Sequence, residues 1–215
     1  MKHIYDEVIT IGDEILYGQI TDTNSQWISA ELDKIGIKTI RKTSIGDQKE
    51  AILEILKESQ TRADILIFTG GLGPTKDDIT KKTIAEFFND TLEINELALA
   101  NVRELFESRG FELTEINRQQ AAIPTKATYL NNAVGTAPGM WFNENGKIII
   151  SMPGVPFEMK YLMENEVMPR LRALFKTPFI LHKIIRTVGI GESFLATLIE
   201  DWEDALPSHI NLAYL

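Results

Sequence analysis

The chain has 215 residues, 44% of them hydrophobic, enough for one full-sized domain with a core and part of a second. Twenty-two Lys and Arg against 31 Asp and Glu leave a net charge of −9 and no basic stripe, which argues against duplex nucleic acid as the main partner. There is no cysteine, signal-peptide pattern or run of about 18 apolar residues, so disulfides, thiolate chemistry and a helical membrane span are excluded and a cytoplasmic protein is expected. In chain order, Val8-Ile9-Thr10-Ile11 reads as a buried strand stopped by Gly12. After the loop Gly12 to Asn24, Trp27, Ile28, Leu32 and Ile35 recur at helical spacing and Gly36 supplies the stop. Residues 37–45 form a second strand candidate, and Ala51, Ile52, Ile55 and Leu56 mark the next helix. Residues 64–68, Asp-Ile-Leu-Ile-Phe, are apolar on both faces, as a covered parallel strand requires.

A helix follows Asp78, and another over 94–110 places Leu97, Val102, Leu105 and Phe106 on its apolar side. Residues 111–139 are too rich in turn formers to assign. Asn145-Gly146 between two strand-like runs predicts a hairpin that adds one antiparallel strand to the sheet. Pro156 stands near the first turn of a long helix, and Met152, Met159, Met163 and Met168 are expected to fill core gaps. The alternation predicts an α/β fold, a three-layer α/β/α sandwich with a mostly parallel sheet, over residues 1–175. Residues 176–215 read as strand, glycine turn and helix, the start of an incomplete α+β domain.

Four loops should share one crevice, because ligands of open parallel sheets bind beyond the carboxyl ends of the strands. They are Gly12-Asp13-Glu14, Gly46-Asp47, Thr69 to Asp78, and Pro153-Gly154-Val155-Pro156. In the third, Gly70, Gly71 and Gly73 allow close backbone approach, yet Asp77 and Asp78 stand where a phosphate would go. Thr75 and Asp78 have the spacing of a helix-capping box, which accounts for one acid but not for two. The other reading is a cation held between carboxylate and phosphate. Composition and spacing leave both open. Asp47 is an N-cap for the helix near Lys49 or part of that cation site, and Asn24 is a helix cap or a ligand contact. Residues 131–139, which include Asn132, Gly135, Thr136, Pro138 and Gly139, are an ordinary loop or a seat for an anion or sugar. His3, His182 and His209 carry no ligand spacing, and Trp27, Trp141 and Trp202 read as core or interface residues.

The segments Gly12 to Asn24, Gly46-Asp47, Thr69 to Thr80, Asn117 to Ala121, Asn131 to Gly139 and Met152 to Met159 occur in an order and spacing that resemble the CinA family, the competence/damage-inducible protein A group. The resemblance covers roughly residues 5–175, and residues 186–193 resemble the start of that family's middle, KH-like domain. It implies a core like the molybdopterin-binding fold of MogA and MoaB. It implies hydrolysis of the pyrophosphate of ADP-ribose to AMP and ribose 5-phosphate, with a divalent cation (Mg, Mn or Co), often potassium, and a dimer. Asp47 and Asp78 match the family's catalytic acids, and Asp47, Asp77 and Asp78 would hold the metal. Glu14, Asn24, Gly70, Gly71, Gly73, Thr75, Arg118, Gln119 and the loops around Thr136 and Gly154, with Pro153 and Pro156, would hold the nucleotide. The family often carries Lys where this chain has Arg118, a change of donor geometry. Alternative readings are a pterin-binding or adenylylating module of molybdenum cofactor assembly and a non-catalytic nucleotide-sensing scaffold.

Overall fold

The computed structural model describes residues 3–75, 78–178 and 180–214, so Asp77 lies outside the described residues. The chain divides into two compact units, Met1–Ile180 and Leu181–Leu215. In the first, elements follow in the order β1 (Ile4–Ile11), α1 (Asp13–Leu16), α2 (Thr23–Lys34), β2 (Ile37–Ile45), α3 (Lys49–Ser59), β3 (Ile65–Thr69) and α4 (Thr80–Phe87). Then come β4 (Leu92–Ile94), α5 (Glu96–Glu107), α6 (Glu115–Gln120), β5 (Ala122–Pro124), β6 (Thr128–Leu130), β7 (Gly139–Glu144) and β8 (Lys147–Met152). The unit closes with α7 (Pro156–Leu162), one wide π turn (Met163–Val167) and α8 (Met168–Leu174). Pro169 has no N–H to give that helix, and the wide turn sits where its ring would meet the preceding carbonyls.

Six strands pair in the order β2-β1-β3-β8-β7-β6, with β2, β1, β3 and β8 mutually parallel and β7 antiparallel to both neighbours. The expectation of a mostly parallel sheet with one antiparallel strand is met. Strand alternation explains the two cores. Ile65 and Ile67 face α2, α7 and α8 together with Ile28, Leu32, Met159 and Leu171. Leu66 and Phe68 face α3 and α4 with Ile52, Leu56 and Ile84. Both faces of β3 are covered, which is why its sequence is continuously apolar. The hairpin turn has Asn145 and Gly146 at φ 54° and 75°, the backbone that Asn-Gly favours.

Three expectations change. On α5 the buried face is Ala98, Leu99 and Val102, whereas Leu97 points to solvent, because it lies off the 98/102/105 stripe. The unassigned stretch 111–139 contains α6, β5 and β6, with β5 pairing β4 in a separate two-stranded sheet. In the second unit the helix forms, α9 (Glu192–Asp204), but residues 181–189 hold no strand. A strand needs a neighbour for its N–H and C=O groups, and among the described residues no strand lies alongside to supply them.

Candidate functional site

Each loop at the carboxyl end of the sheet is tied to the next. Asp22 caps α2 by accepting from Ser25 N at 2.9 Å, and its other oxygen accepts from the Thr10 hydroxyl at 3.2 Å, so the helix start is fixed to the end of β1. Asn24, inside that first turn, is therefore not the cap. Its Nδ2 donates to Gly154 O at 2.8 Å and to Thr69 Oγ1 at 3.2 Å, while Thr69 donates to Pro153 O at 2.9 Å. The glycines of the third loop have a packing reason. A Cβ on Gly70, at φ 119°, would stand 2.1 Å from Ile11 O, and one on Gly71, at φ 63°, would stand 2.1 Å from Thr80 Oγ1 and 3.5 Å from Asp47 Oδ1.

These loops enclose a cavity of about 490 Å³. Its lining includes Gly12, Glu14, Asp47, Gly70, Gly71, Gly73, Asp78, Pro153 and Gly154 from the four loops predicted to converge. Thr136 and Ala137 of the 131–139 loop complete it with Gln120 and Glu158. The titratable residues among the described lining are all acids: Glu14, Asp47, Asp78 and Glu158.

Asp47 does not cap α3. Gln48 holds that position without a side-chain bond, and the Asp47 carboxylate turns instead to the β1–α1 loop, accepting from Asp13 N at 3.2 Å. Burial is the main cause that pushes its pKa above the ordinary aspartate value, and the negative charges of Glu14, Asp13 and Asp78 add to it. Asp78 accepts from Thr75 N at 2.9 Å and from the Thr75 hydroxyl. This is one half of the expected capping box, but it closes a turn, since α4 begins only at Thr80. Oxygen donors of this kind suit a hard cation such as Mg²⁺. Among the described residues, however, no three acids or histidines stand together as a ready ligand set. Asp47 and Asp78 fit such an ion in chemistry and electrostatics, with the remaining ligands to come from a phosphate or water.

The other sequence-predicted residues fall outside the lining. Arg118 and Gln119 are exposed on α6, where Gln119 Nε2 donates to Glu115 Oε1 at 2.7 Å. The residue of that helix that faces the cavity is Gln120, the glutamine at the fourth position of Asn117-Arg118-Gln119-Gln120. Thr75 and Pro156 are exposed, the latter at the first position of α7. Asn132, Gly135 and Pro138 are buried behind the lining, and Gly139 packs on Leu130 and Leu162.

Sequence reasoning passed over Gln120, Glu158 and Thr80. Of the eight buried side-chain polar atoms that lack a protein partner among the described residues, four surround this crevice: Asn24 Oδ1, Thr80 Oγ1, Gln120 Nε2 and Asn132 Oδ1. Buried polar groups are normally paired, and of these four residues Gln120 lines the cavity itself.

Residues 7–173 match the family described as "Probable molybdopterin binding domain". The fold is that of MoaB proteins: the tungsten cofactor synthesizing protein MoaB from Pyrococcus furiosus superposes with a TM-score of 0.52 at 22% identity, over 80% of this chain and 98% of that one. The fold and the crevice thus define a molybdopterin-binding-type α/β domain. A CinA-like protein from Cytophaga hutchinsonii is 56% identical over 99% of this chain, and one from Flavobacterium psychrophilum is 56% identical over 97%. The structure of the protein CinA from Thermoplasma acidophilum is matched at a TM-score of 0.71 and 33% identity, over 79% of this chain and 98% of that one. The chain belongs to the CinA family. It spans about half the length of the curated relatives it matches, 51% and 50% of the two CinA-like proteins.

Proposed function

We propose that the crevice binds a nucleoside diphosphate ester together with a divalent cation and hydrolyses its phosphoanhydride, converting ADP-ribose to AMP and ribose 5-phosphate. The observation that carries this reading is the set of acids without a compensating cation among the described lining residues, converging on Asp47 beside the glycine turn. A diphosphate there would be repelled by carboxylates alone. When bound, the cation neutralises that repulsion and acidifies water at the phosphorus to be attacked. Asp47 and Asp78 would hold it. Asp78 is oriented by Thr75, and Asn24 with Thr69 ties Pro153 and Gly154 to the start of α2 and the end of β3. Water adds to one phosphorus, the bridging oxygen leaves with the other phosphate, and the released proton passes to solvent or to a carboxylate of the cluster.

Turnover tests it. Purified protein with ADP-ribose and Mg²⁺, Mn²⁺ or Co²⁺ should release AMP, and Asp78→Asn should abolish release with an unchanged circular dichroism spectrum. AMP release that survives Asp78→Asn overturns the assignment. A second reading is favoured by the family description and by the MoaB-like fold: a module that binds or adenylylates a molybdopterin-type ligand. Tight binding of such a pterin phosphate, with no AMP formed from ADP-ribose, would select it.

A further inference from the structure

One acid of the cavity stands apart from the others. Glu158, in the first turn of α7, lines the cavity half-buried. Burial is what raises its pKa, with the Asn132 hydrogen bond opposing, and no neighbouring charge contributes, whereas Asp47 feels Glu14, Asp13 and Asp78. It is held from the 131–139 loop, whereas Asp47 and Asp78 are held by Asp13 and Thr75. Its carboxylate is seated by a built support. Asn132, fully buried, donates from Nδ2 to Glu158 Oε2 at 2.6 Å and to Ala137 O at 2.8 Å. Asn101 on α5 holds the same loop by donating to Asn132 O at 2.8 Å and Gly135 O at 3.2 Å. Gly135 leaves room for the acid, since a Cβ there would stand 2.1 Å from Glu158 Oε2.

What could such a carboxylate face? Another phosphate would be repelled, and a cation is drawn to the cluster around Asp47. A neutral hydrogen-bond donor remains. The same cavity is lined by Gln120, 5% exposed, whose buried Nε2 has no protein partner among the described residues. Lys81 fixes that residue's backbone by donating from Nζ to Gln120 O at 3.2 Å. A charged acceptor on the wall of the cavity suits hydroxyl groups, which donate to it.

We propose that Glu158, positioned by Asn132, accepts hydrogen bonds from the vicinal hydroxyls of a nucleoside diphosphate's ribose, so that the sugar is read at this end of the cavity and the phosphates at the Asp47 end. The inference rests on the nucleotide reading above and adds its sugar specificity. Calorimetric titration of the whole chain with ADP and with 2′,3′-dideoxy-ADP, both in Mg²⁺, tests it. The wild type should prefer ADP by about tenfold or more, the scale of a hydrogen bond to a charged group. Glu158→Gln should bring that ratio close to one while dideoxy-ADP binding persists, a change that a merely structural role would not produce. Equal affinities in the wild type, or a ratio retained in Glu158→Gln, overturn the proposal. The wild-type comparison needs no variant and so stands even where Glu158→Gln misfolds. If ADP-ribose is hydrolysed in an Asp78-dependent manner without sugar discrimination, the sugar inference alone falls. If no nucleotide binds in Mg²⁺, both fall together.

Discussion

Glu7 and Asp47 are acids of the same sheet, one in the body of β1 and one just beyond the end of β2, and the fold treats them in opposite ways. The Glu7 side chain is fully buried, yet every charge-balancing contact is present: Arg62 donates from Nε at 2.7 Å and from Nη2 at 3.1 Å, and Thr43 donates its hydroxyl at 2.7 Å. Burial pushes its pKa up, but these bonds outweigh that push and hold it below the ordinary glutamate value. Asp47 has one main-chain donor and three acidic neighbours, which add to burial in raising its pKa. Glu7 is matched by a cation from the same chain. Asp47 has no such partner among the described residues lining the cavity, whose titratable side chains are all acids.

The contrast can be broken by substitution. Arg62→Ala should lower unfolding stability most, by about 3–5 kcal/mol, because it leaves the Glu7 charge buried and unpaired; denaturant titration measures it, and a loss below about 1 kcal/mol would remove Glu7 as the structural pole. Asp47→Asn should leave stability unchanged or raise it, since a like charge is removed, while ADP-ribose hydrolysis falls about 10²–10³-fold, the usual scale for losing one preorganised electrostatic contact. The reverse pattern, a lower Tm with activity kept, would make Asp47 a structural residue like Glu7.

Asp6 sharpens the comparison from a third position. It is fully buried beside Glu7, and among the described residues neither carboxylate oxygen, nor the hydroxyl of Thr39 opposite it, meets a partner in hydrogen-bond geometry. Burial raises its pKa from 3.8 to about 7; Thr39 and Lys42 nearby pull it down and Glu7 adds to the rise. The folded state therefore binds more protons than the unfolded state between those values, so this group's contribution to stability is greatest at about pH 4 and is lost as pH rises through about 7. Asp6→Asn should flatten that slope and raise stability at pH 8 by something on the order of 2 kcal/mol, read from thermal unfolding across pH. A slope that persists in the variant would assign it to other groups. The smallest effect expected is from the cation itself: Mg²⁺ at tenfold excess over its Kd should stabilise the wild type by about 1.4 kcal/mol, or a few degrees in Tm, and Asp47→Asn should not respond.

Much of the molecule is legible in the chain. Strand and helix patterns gave the alternation, and the rule that ligands sit at strand ends grouped the loops whose Glu14, Asp47, Gly70, Gly71, Gly73, Asp78, Pro153 and Gly154 line the cavity. Arg118 and Gln119 show the limit. A short helix turns its residues about 100° apart, so adjacent positions face different surroundings, and its phase depends on packing rather than on the motif. Glu158 was hidden for a similar reason, because it looks like an ordinary first-turn acid until Asn132, 26 residues earlier, is seen to hold it.

By itself the sequence determined the layers, the hairpin and which loops end the parallel strands, because those follow from local backbone preference and from the period of apolar side chains. The tertiary structure alone decided which acids are neutralised and which are left open. That depends on partners far apart in the chain, such as Arg62 for Glu7 and Gly154 for Asn24, brought within hydrogen-bond reach only when the sheet is assembled.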